Sequence, residues 1–341
     1  VEFNWPYHHR PSGFMPCDFT TEECEDGSVI CWLSEHEPDS RMKSLVGIVL
    51  GAESAFLEPR VRLCNRTELS RSFLWWENAA VPVGECYQIF FPKDVTYVNF
   101  HYLDSRISYP VAGDSLYNGF DMTEPRDISW HKNTRDATSY FACASKYDFF
   151  VGYDHGKECG VVHIGNHHIS PGKKMFTWAY NQLSRSWENA LTDADGQYAE
   201  LMAGSYTDNQ PDFAWLEPYE TKEFSQFWYP ISRIGTPDFA NLNCALHVTP
   251  SQLAIQATKP LGVCTLTVRA GGELLLHTTV SLIPGTPVFL PFERLASLLA
   301  VTLVSSDGST LLSYEEEQPD LLKMPPVKDA LALAAELDSA D

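Results

Sequence analysis

Up to about residue 240, the chain alternates short runs of β-branched and aromatic residues with turn residues, and few stretches are long enough for a helix. Gly, Pro, Asn and Asp recur about every eight to twelve residues between these runs. Clear examples of the runs are SLVGIVL, AFLEPRVRLCNRT, CYQIFFP, TYVNFHYLD, YDFFVGYD and CGVVHIG. This region is too long for a seven-strand immunoglobulin domain, so the pattern predicts an all-β fold, a large antiparallel sandwich of two sheets over residues 1–240.

The composition changes after residue 240. All nine tryptophans lie between Trp5 and Trp228. From Asn241 onward, alternating Leu, Val, Ile and Thr runs are joined by Gly turns, as in QLAIQATK, CTLTVRAG and LAVTLVSSDG. We therefore predict a small immunoglobulin-like β-sandwich over residues 241–314, with a supporting role.

The last segment, residues 315–341, predicts an acidic linker and a short C-terminal helix. EEEQPDLLKMPP is acidic and contains Pro, and the VKDALALAAELD that follows carries apolar residues at helical spacing after Pro326. A lone amphipathic helix leads us to expect the start of a helical repeat array, through which protein partners could bind. Because the chain begins at Val1 rather than Met, we also expect an upstream portion.

The charge balance limits the classes of partner. The chain has 45 acidic and 24 basic residues and a formal net charge of −21. Nucleic acids and anionic membranes attract clustered Lys and Arg, so neither is an expected partner. No apolar run reaches the length of about 18 residues that a membrane span needs.

The cysteines and histidines do not predict a metal or cofactor. Nine cysteines are an odd number, and none forms a CxxC pair, which favours reduced thiols in a cytoplasmic protein over disulfides or a zinc site. His155, His163, His167 and His168 occur within a short stretch, but strand alternation sends neighbouring side chains to opposite faces. We therefore expect no metal site and no cofactor.

The segment Tyr198–Ile231 combines acids, amides and aromatic residues, a mixture that suits a sugar pocket. In YAELMAG, alternation places Ala199, Leu201 and Ala203 on a core face and Glu200 on the opposite face. Large neighbours would raise the pKa of the Glu200 carboxyl by desolvation, which suits a general acid or base. The alternative is an exposed Glu on an outer strand.

A second acid, Glu77, lies in FLWWENAAV beside Trp75, Trp76 and Asn78. Two adjacent tryptophans with Glu and Asn could form a sugar platform, whereas the alternative places one Trp in the core and Glu77 in solvent. Further candidate hydroxyl-binding residues, each weak on its own, are His8, His9, Arg10 and His101.

Taken in order, these segments resemble the DUF5107 family, whose members often continue into tetratricopeptide repeats. The resemblance covers roughly residues 1–235 and rests on the motifs NWP, HHRP, FLWWEN, FPKDVTYVNFHY, GYDHGK, SPGKKMFTW, ELMAG, TDNQPDF, PYETK and WYPI. The family in turn is similar to the galactose mutarotase-like β-supersandwich. In that superfamily, an Asp-His strand end, a Pro-Gly strand, a strand with the catalytic Glu and an Asn-x-Pro loop follow one another. Here the same order is Asp154-His155, Pro171-Gly172, Glu200 and Asn209-Gln210-Pro211.

The resemblance implies that Glu200 lies at the ring oxygen or anomeric hydroxyl of a sugar. It also implies that Asp154, Asn209 and Gln210 contribute to binding, and we add Trp178 of SPGKKMFTW to these residues. The histidine that mutarotases pair with the catalytic Glu is missing from LWWENAAV, where Glu77 is the nearest ionisable group.

Three functions follow as hypotheses. The first is a glycoside hydrolase with Glu200 and Glu77 as its two carboxylates, which requires both in one pocket, roughly 5 to 10 Å apart. The second is an aldose 1-epimerase with Glu200 as base and His155 or His101 as acid. The third is a carbohydrate-binding module without catalysis. We favour the hydrolase at this point.

Overall fold

The computed structural model describes residues 2–3, 15–38, 40–100, 106–113, 116–117, 120–121, 124–193, 195–206, 214–294 and 297–317. The strands of the first half are β1 Glu2–Phe3, β2 Asp18–Glu23, β3 Val29–His36, β4 Met42–Leu50, β5 Leu57–Asn65, β6 Arg71–Leu74, β7 Trp76–Pro82, β8 Tyr87–Phe90, β9 Tyr97–Phe100, β10 Arg106–Ser108, β11 Val111–Ala112, β12 Leu116–Tyr117, β13 Phe120–Asp121 and β14 Arg126–Asp127. A 3-10 turn follows at His131–Asn133.

The second half continues with β15 Thr138–Ala142, β16 Phe149–Asp154, β17 Cys159–Gly165, β18 Gly172–Thr177, α1 Gln182–Leu191, β19 Tyr198–Gly204, β20 Ala214–Leu216, β21 Thr221–Ser232, β22 Phe239–Ala240, β23 Cys244–Val248, β24 Gln252–Ala257, β25 Gly262–Ala270, β26 Glu273–Leu282, β27 Val288–Pro291, β28 Leu299–Ser305 and β29 Thr310–Glu315. Strands make up 57% of the structure and helix 4%, so the predicted all-β class is confirmed.

Two antiparallel sheets form the large sandwich. The eight-stranded sheet has the order β2-β3-β4-β5-β21-β17-β16-β8, and the six-stranded sheet has the order β10-β9-β15-β18-β19-β7. Buried side chains from both sheets form one core; among them are Ile89, Phe150, Met175 and Leu201. We call the face of the six-stranded sheet that points into this core its inner face, and the opposite side its outer face.

Strand alternation assigns side chains to these two faces. Ala199, Leu201 and Ala203 of β19 are fully buried in the core, so they define the inner face. Directly paired residues of antiparallel neighbours point to the same side. Because Glu200 alternates with these alanines and Leu201, its side chain lies on the outer face, as the sequence predicts.

The small sandwich has two four-stranded sheets with the orders β22-β23-β24-β27 and β26-β25-β28-β29. Its core is made of aliphatic residues, which include Leu246, Leu266 and Val301. The first of these sheets also packs on the eight-stranded sheet, where Ala245 and Ala254 meet Tyr229 and Ile231. The side of the eight-stranded sheet that faces away from the six-stranded sheet is therefore covered at β16, β17 and β21.

One described helix, α1, lies between β18 and β19, where the sequence predicts none. The side chain of Asn181 caps it by accepting a hydrogen bond from the Ser184 N–H at 2.8 Å. The predicted helix after Pro326 lies outside the described residues. Among the described helices, none has the length and apolar composition needed to cross a bilayer.

Candidate functional site

Glu200 lies on the outer face of the six-stranded sheet with partners from both neighbouring strands. On the neighbouring strand β7, the Asn78 side chain donates a hydrogen bond from Nδ2 to Glu200 Oε2 at 2.9 Å. On the other neighbouring strand, β18, Phe176 is paired directly with Glu200. Asn78 is paired with Met202, two residues further along β19, so its side chain shares the outer face. The predicted pair Glu200 and Asn78 is therefore brought together.

Lys174 lies on the same face and was not predicted as a site residue. It is paired with Met202 from the β18 side, and its Nζ lies 4.8 Å from the centroid of the Phe141 ring. Burial lowers the pKa of the Lys174 ammonium to about 8, while the nearby Glu200 carboxylate acts in the opposite direction. The site thus combines a carboxylate and a cation. The signal was in SPGKKMFTW, where alternation sends one of two consecutive lysines to each face.

Aromatic side chains extend from Glu200 along the sheet. The rings of Phe176 and Trp178 meet edge to face at 5.2 Å, and Trp178 Nε1 donates to the Tyr198 hydroxyl at 3.1 Å. Trp178 also stacks on Trp187 of α1, with ring centroids 5.6 Å apart. The predicted residue Trp178 therefore joins a continuous aromatic row that begins opposite Glu200.

The tandem tryptophans separate. Trp75 is 6% exposed and contacts the Phe224 ring edge to face at 6.0 Å, within a core cluster between β6 and β21. Trp76 is half-buried and packs against the cluster of Leu74, Phe141 and Tyr206. Trp75 is therefore a core residue, whereas Trp76 packs on the cluster that contains Phe141.

Glu77 points into the sandwich. It is paired with Ala203 on the inner face, and Trp228 of the eight-stranded sheet donates from Nε1 to Glu77 Oε2 at 2.6 Å. The residue as a whole is partly exposed, but its Oε1 atom is buried and has no hydrogen-bond partner among the described residues. Burial raises the pKa of the Glu77 carboxyl to about 8.

Glu77 and Glu200 therefore lie on opposite faces of one sheet. The expectation that they flank a single pocket is wrong, because consecutive residues of β7 alternate and Asn78 occupies the outer position. The alternative with Glu77 in solvent is wrong as well.

Asp154 and His155 also lie away from Glu200. The Asp154 carboxylate accepts hydrogen bonds from the backbone N–H groups of Gly156 and Lys157, which shapes the turn between β16 and β17. His155 stacks on Trp130 at 4.9 Å and bonds through Nε2 to Gln88 at 3.0 Å. Its ring also lies 5.1 Å from Tyr153, which belongs to the cluster that packs on the small sandwich.

Both residues thus belong to the eight-stranded sheet, and His155 is on the side that faces away from the six-stranded sheet. Neither meets Glu200, which corrects their assignment to the site. The other predicted residues, His8, His9, Arg10, His101, Asn209 and Gln210, lie outside the described residues.

Two other histidines of the same stretch, His163 and His167, have partners of their own. His163 is buried and bonds through Nε2 to Gln226 at 2.7 Å, and burial lowers its pKa to about 3. His167 bonds through Nδ1 to Asp148 at 2.7 Å. Within the part of the chain that the structure describes, His, Cys, Asp and Glu form no group of three or more that could hold a metal ion.

Three solved structures show a related arrangement. A TPR-domain containing protein from Parabacteroides distasonis is 22% identical, with 67% of this chain and 37% of that chain aligned and a TM-score of 0.55. The chain therefore spans little more than a third of that protein. A galactose mutarotase related enzyme from Lactobacillus acidophilus is 12% identical over 64% of this chain and 73% of its own, with a TM-score of 0.42. A galactose mutarotase-like protein from Lactobacillus casei is 11% identical over 63% and 73%, with a TM-score of 0.43.

At 22% identity the likeness to the Parabacteroides distasonis protein concerns the fold alone, and the predicted large antiparallel sandwich of two sheets is confirmed by the sheets themselves. A comparison with protein families matches residues 1–231 to DUF5107, a domain of unknown function. Because that match covers well over half of the chain, the chain belongs to the DUF5107 family.

Proposed function

We propose that the outer face of the six-stranded sheet around Glu200 binds a carbohydrate, and that Glu200 transfers a proton at the anomeric centre. The observation that carries the proposal is the Glu200 carboxylate itself, held by Asn78 and directly opposite the Phe176 ring. Aromatic rings stack on the apolar C–H faces of sugars, and carboxylates accept from their hydroxyls. The adjoining Trp178 and Tyr198 enlarge that aromatic surface.

The reaction that suits this set of groups is aldose 1-epimerisation. A base removes the proton of the C1 hydroxyl, the bond between C1 and the ring oxygen breaks, and an acid protonates the ring oxygen. Rotation about C1–C2 and the reverse steps then give the other anomer, so protons and electrons balance. Glu200 is the proposed base, and Lys174 on the same face is the proposed acid, since an ammonium with a pKa of about 8 can donate near neutral pH.

Epimerisation is favoured over glycoside hydrolysis because hydrolysis by two carboxylates requires both at one sugar. Glu77 cannot serve with Glu200, since it bonds Trp228 on the inner face of the sheet. A carbohydrate-binding module without catalysis would use the same aromatic row. The following experiment distinguishes these two functions.

The experiment follows the equilibration of freshly dissolved α-D-glucose and α-D-galactose by NMR. We expect the protein to accelerate equilibration and Glu200→Gln to lower the rate at least about 100-fold, the usual contribution of a general base. Glu223→Gln is the matched control, because Glu223 is an exposed carboxylate paired with Arg62 on the eight-stranded sheet.

Rates equal to buffer for both sugars would overturn the epimerase proposal. Sugar binding that persists in Glu200→Gln, without any acceleration by the wild-type protein, would instead support the non-catalytic binding module.

A further inference from the structure

A cleft lies between α1 and the aromatic row, and we call it the α1 cleft. It has about 240 Å³ of empty space, counting the part open to solvent, and its lining includes Trp178, Trp187, Glu188, Thr192, Gln197 and Tyr198. The enclosed part of this space is only about 10 Å³, close to the volume that one water molecule needs. The α1 cleft is therefore shallow and open, and a bound ring would lie against its wall with its other face in water.

The wall of the α1 cleft is aromatic. Trp187 stacks on Trp178 with an angle of 24° between the ring planes, although 47% of Trp187 is exposed. An indole held in place by stacking and still open to solvent offers a flat apolar surface at low entropic cost. Such a surface is what the C–H face of a pyranose ring requires.

Polar groups at the edge of the cleft can accept or donate hydrogen bonds. The Tyr198 hydroxyl accepts from Trp178 Nε1 and can still donate its own proton. The Glu188 side chain is half-buried and has no hydrogen-bond or ion-pair partner among the described residues. A ring stacked on the indoles would thus have a donor and an acceptor for its hydroxyls within the same cleft.

The α1 cleft is continuous with the proposed site at Glu200. Tyr198 lines the cleft and stands two residues before Glu200 on the same face of β19, which is about 7 Å along a strand. Phe176 contacts Trp178 on one side and is paired with Glu200 on the other. Two linked sugar rings could therefore occupy both places at once.

We infer that the α1 cleft is a second sugar subsite, and that the ligand is a reducing oligosaccharide whose terminal ring lies at Glu200 and whose next ring stacks on Trp178 and Trp187. This inference rests on the proposed function for one point, namely that the ring at Glu200 is the reducing end. The aromatic cleft and its continuity with the sheet face carry it independently of catalysis.

The test compares affinities of the whole chain for D-glucose and D-galactose with those for maltose, cellobiose and lactose, measured by calorimetry. We expect at least one disaccharide to bind about tenfold more tightly than the monosaccharide at its reducing end, the upper range of an aromatic contact. Trp187→Ala should remove that gain and leave monosaccharide affinity within about twofold. Trp187→Phe should retain part of it, and the exposed Trp215→Ala should change neither.

Disaccharides that bind no more tightly than their monosaccharides would overturn the subsite, as would a Trp187→Ala variant that weakens both equally. If the protein epimerises monosaccharides but binds disaccharides no more tightly, the proposed function stands and the subsite is refuted. A gain that depends on Trp187, without accelerated epimerisation, would support the subsite and refute the catalysis. Absence of binding to all five sugars would overturn both.

Discussion

Two consecutive residues, Glu77 and Asn78, point to opposite sides of one sheet, and only Asn78 reaches Glu200. The physical cause is the two-residue period of a strand, which separates neighbours regardless of their chemistry. Glu77 is therefore a buried acid with one Trp donor, and its raised pKa reflects burial rather than a catalytic role.

Glu77→Gln should change how stability depends on pH. The folded-state pKa of Glu77, about 8, lies above its unfolded value of 4.5, so the folded protein holds this proton more tightly. The contribution of Glu77 to stability is thus fully present below pH 4.5 and is lost as pH rises to about 8. Relative to wild type, we expect Glu77→Gln to gain roughly 3 to 5 kcal/mol of unfolding free energy between pH 5 and 8.

Urea unfolding of both proteins at several pH values measures this difference. Subtraction of the two curves removes the contribution of His163, whose depressed pKa of about 3 makes stability rise between about pH 3 and 6.5. A difference that does not change with pH would show that Glu77 ionises normally in the folded protein.

Lys174→Met should lower the rate of anomer equilibration about 100-fold if Lys174 supplies the acid. In wild type, the rate should fall as pH rises through about 8, because the ammonium loses its proton there. Lys174→Arg keeps the charge but releases no proton, so it should not restore the rate.

Polarimetry between pH 6 and 9 tests this prediction, with the exposed Lys157→Met as control. Unchanged activity in Lys174→Met would remove Lys174 from the mechanism and leave Glu200 to be judged separately.

At the scale of elements, the outer faces of β18 and β19 depend on two glycines. The Tyr206 ring lies against both, and a Cβ at Gly172 would come within 2.3 Å of Tyr206 Cε2, while one at Gly204 would come within 2.1 Å of the Trp75 carbonyl oxygen. Neither contact is tolerable without movement of the ring or the backbone. The glycines thus let Tyr206 pack beside Phe141 next to the site.

Gly172→Ala should therefore destabilise the protein by about 1 to 3 kcal/mol, the usual cost of overpacking. Gly84→Ala is the matched control, since a Cβ at Gly84 would meet nothing within 4 Å. Chemical denaturation of the two variants gives the comparison. Equal stabilities would mean that Tyr206 moves aside without cost.

At the scale of the molecule, the small sandwich covers β16, β17 and β21 on one side of the eight-stranded sheet. Ala245 and Ala254 pack with Tyr229, Ile231 and Val151, so the two sandwiches share buried apolar surface. Burial of this surface should couple their unfolding.

Ala254→Asp places a charge in that interface, where Ala254 is 4% exposed, and should cost more than about 2 kcal/mol. Val263→Asp, at a position 60% exposed, should remain within about 0.5 kcal/mol of wild type. Calorimetry should show one transition in wild type and a lower midpoint, or two transitions, in Ala254→Asp. A single transition with an unchanged midpoint would contradict the coupling.

Local patterns were sufficient for the strands, for the all-β class and for the face on which Glu200 lies, because alternation along a strand is a property of neighbouring residues. The same rule could have placed Lys174 and Lys173 on different faces of the sheet, and it already separates Glu77 from Asn78.

Alternation could not tell which face of β7 points into the core, since FLWWENAAV carries apolar residues on both faces. That depended on Trp228, which meets Glu77 from 151 residues away in the other sheet. The position of His155 was equally unpredictable from local patterns. It depends on contacts with Gln88 and Trp130, which are distant in the chain, and on the pairing of β16 with β8 in the eight-stranded sheet. Sheet pairing brings together residues that are distant in the chain, and for this reason the tertiary structure alone decided which of the predicted groups could act with Glu200.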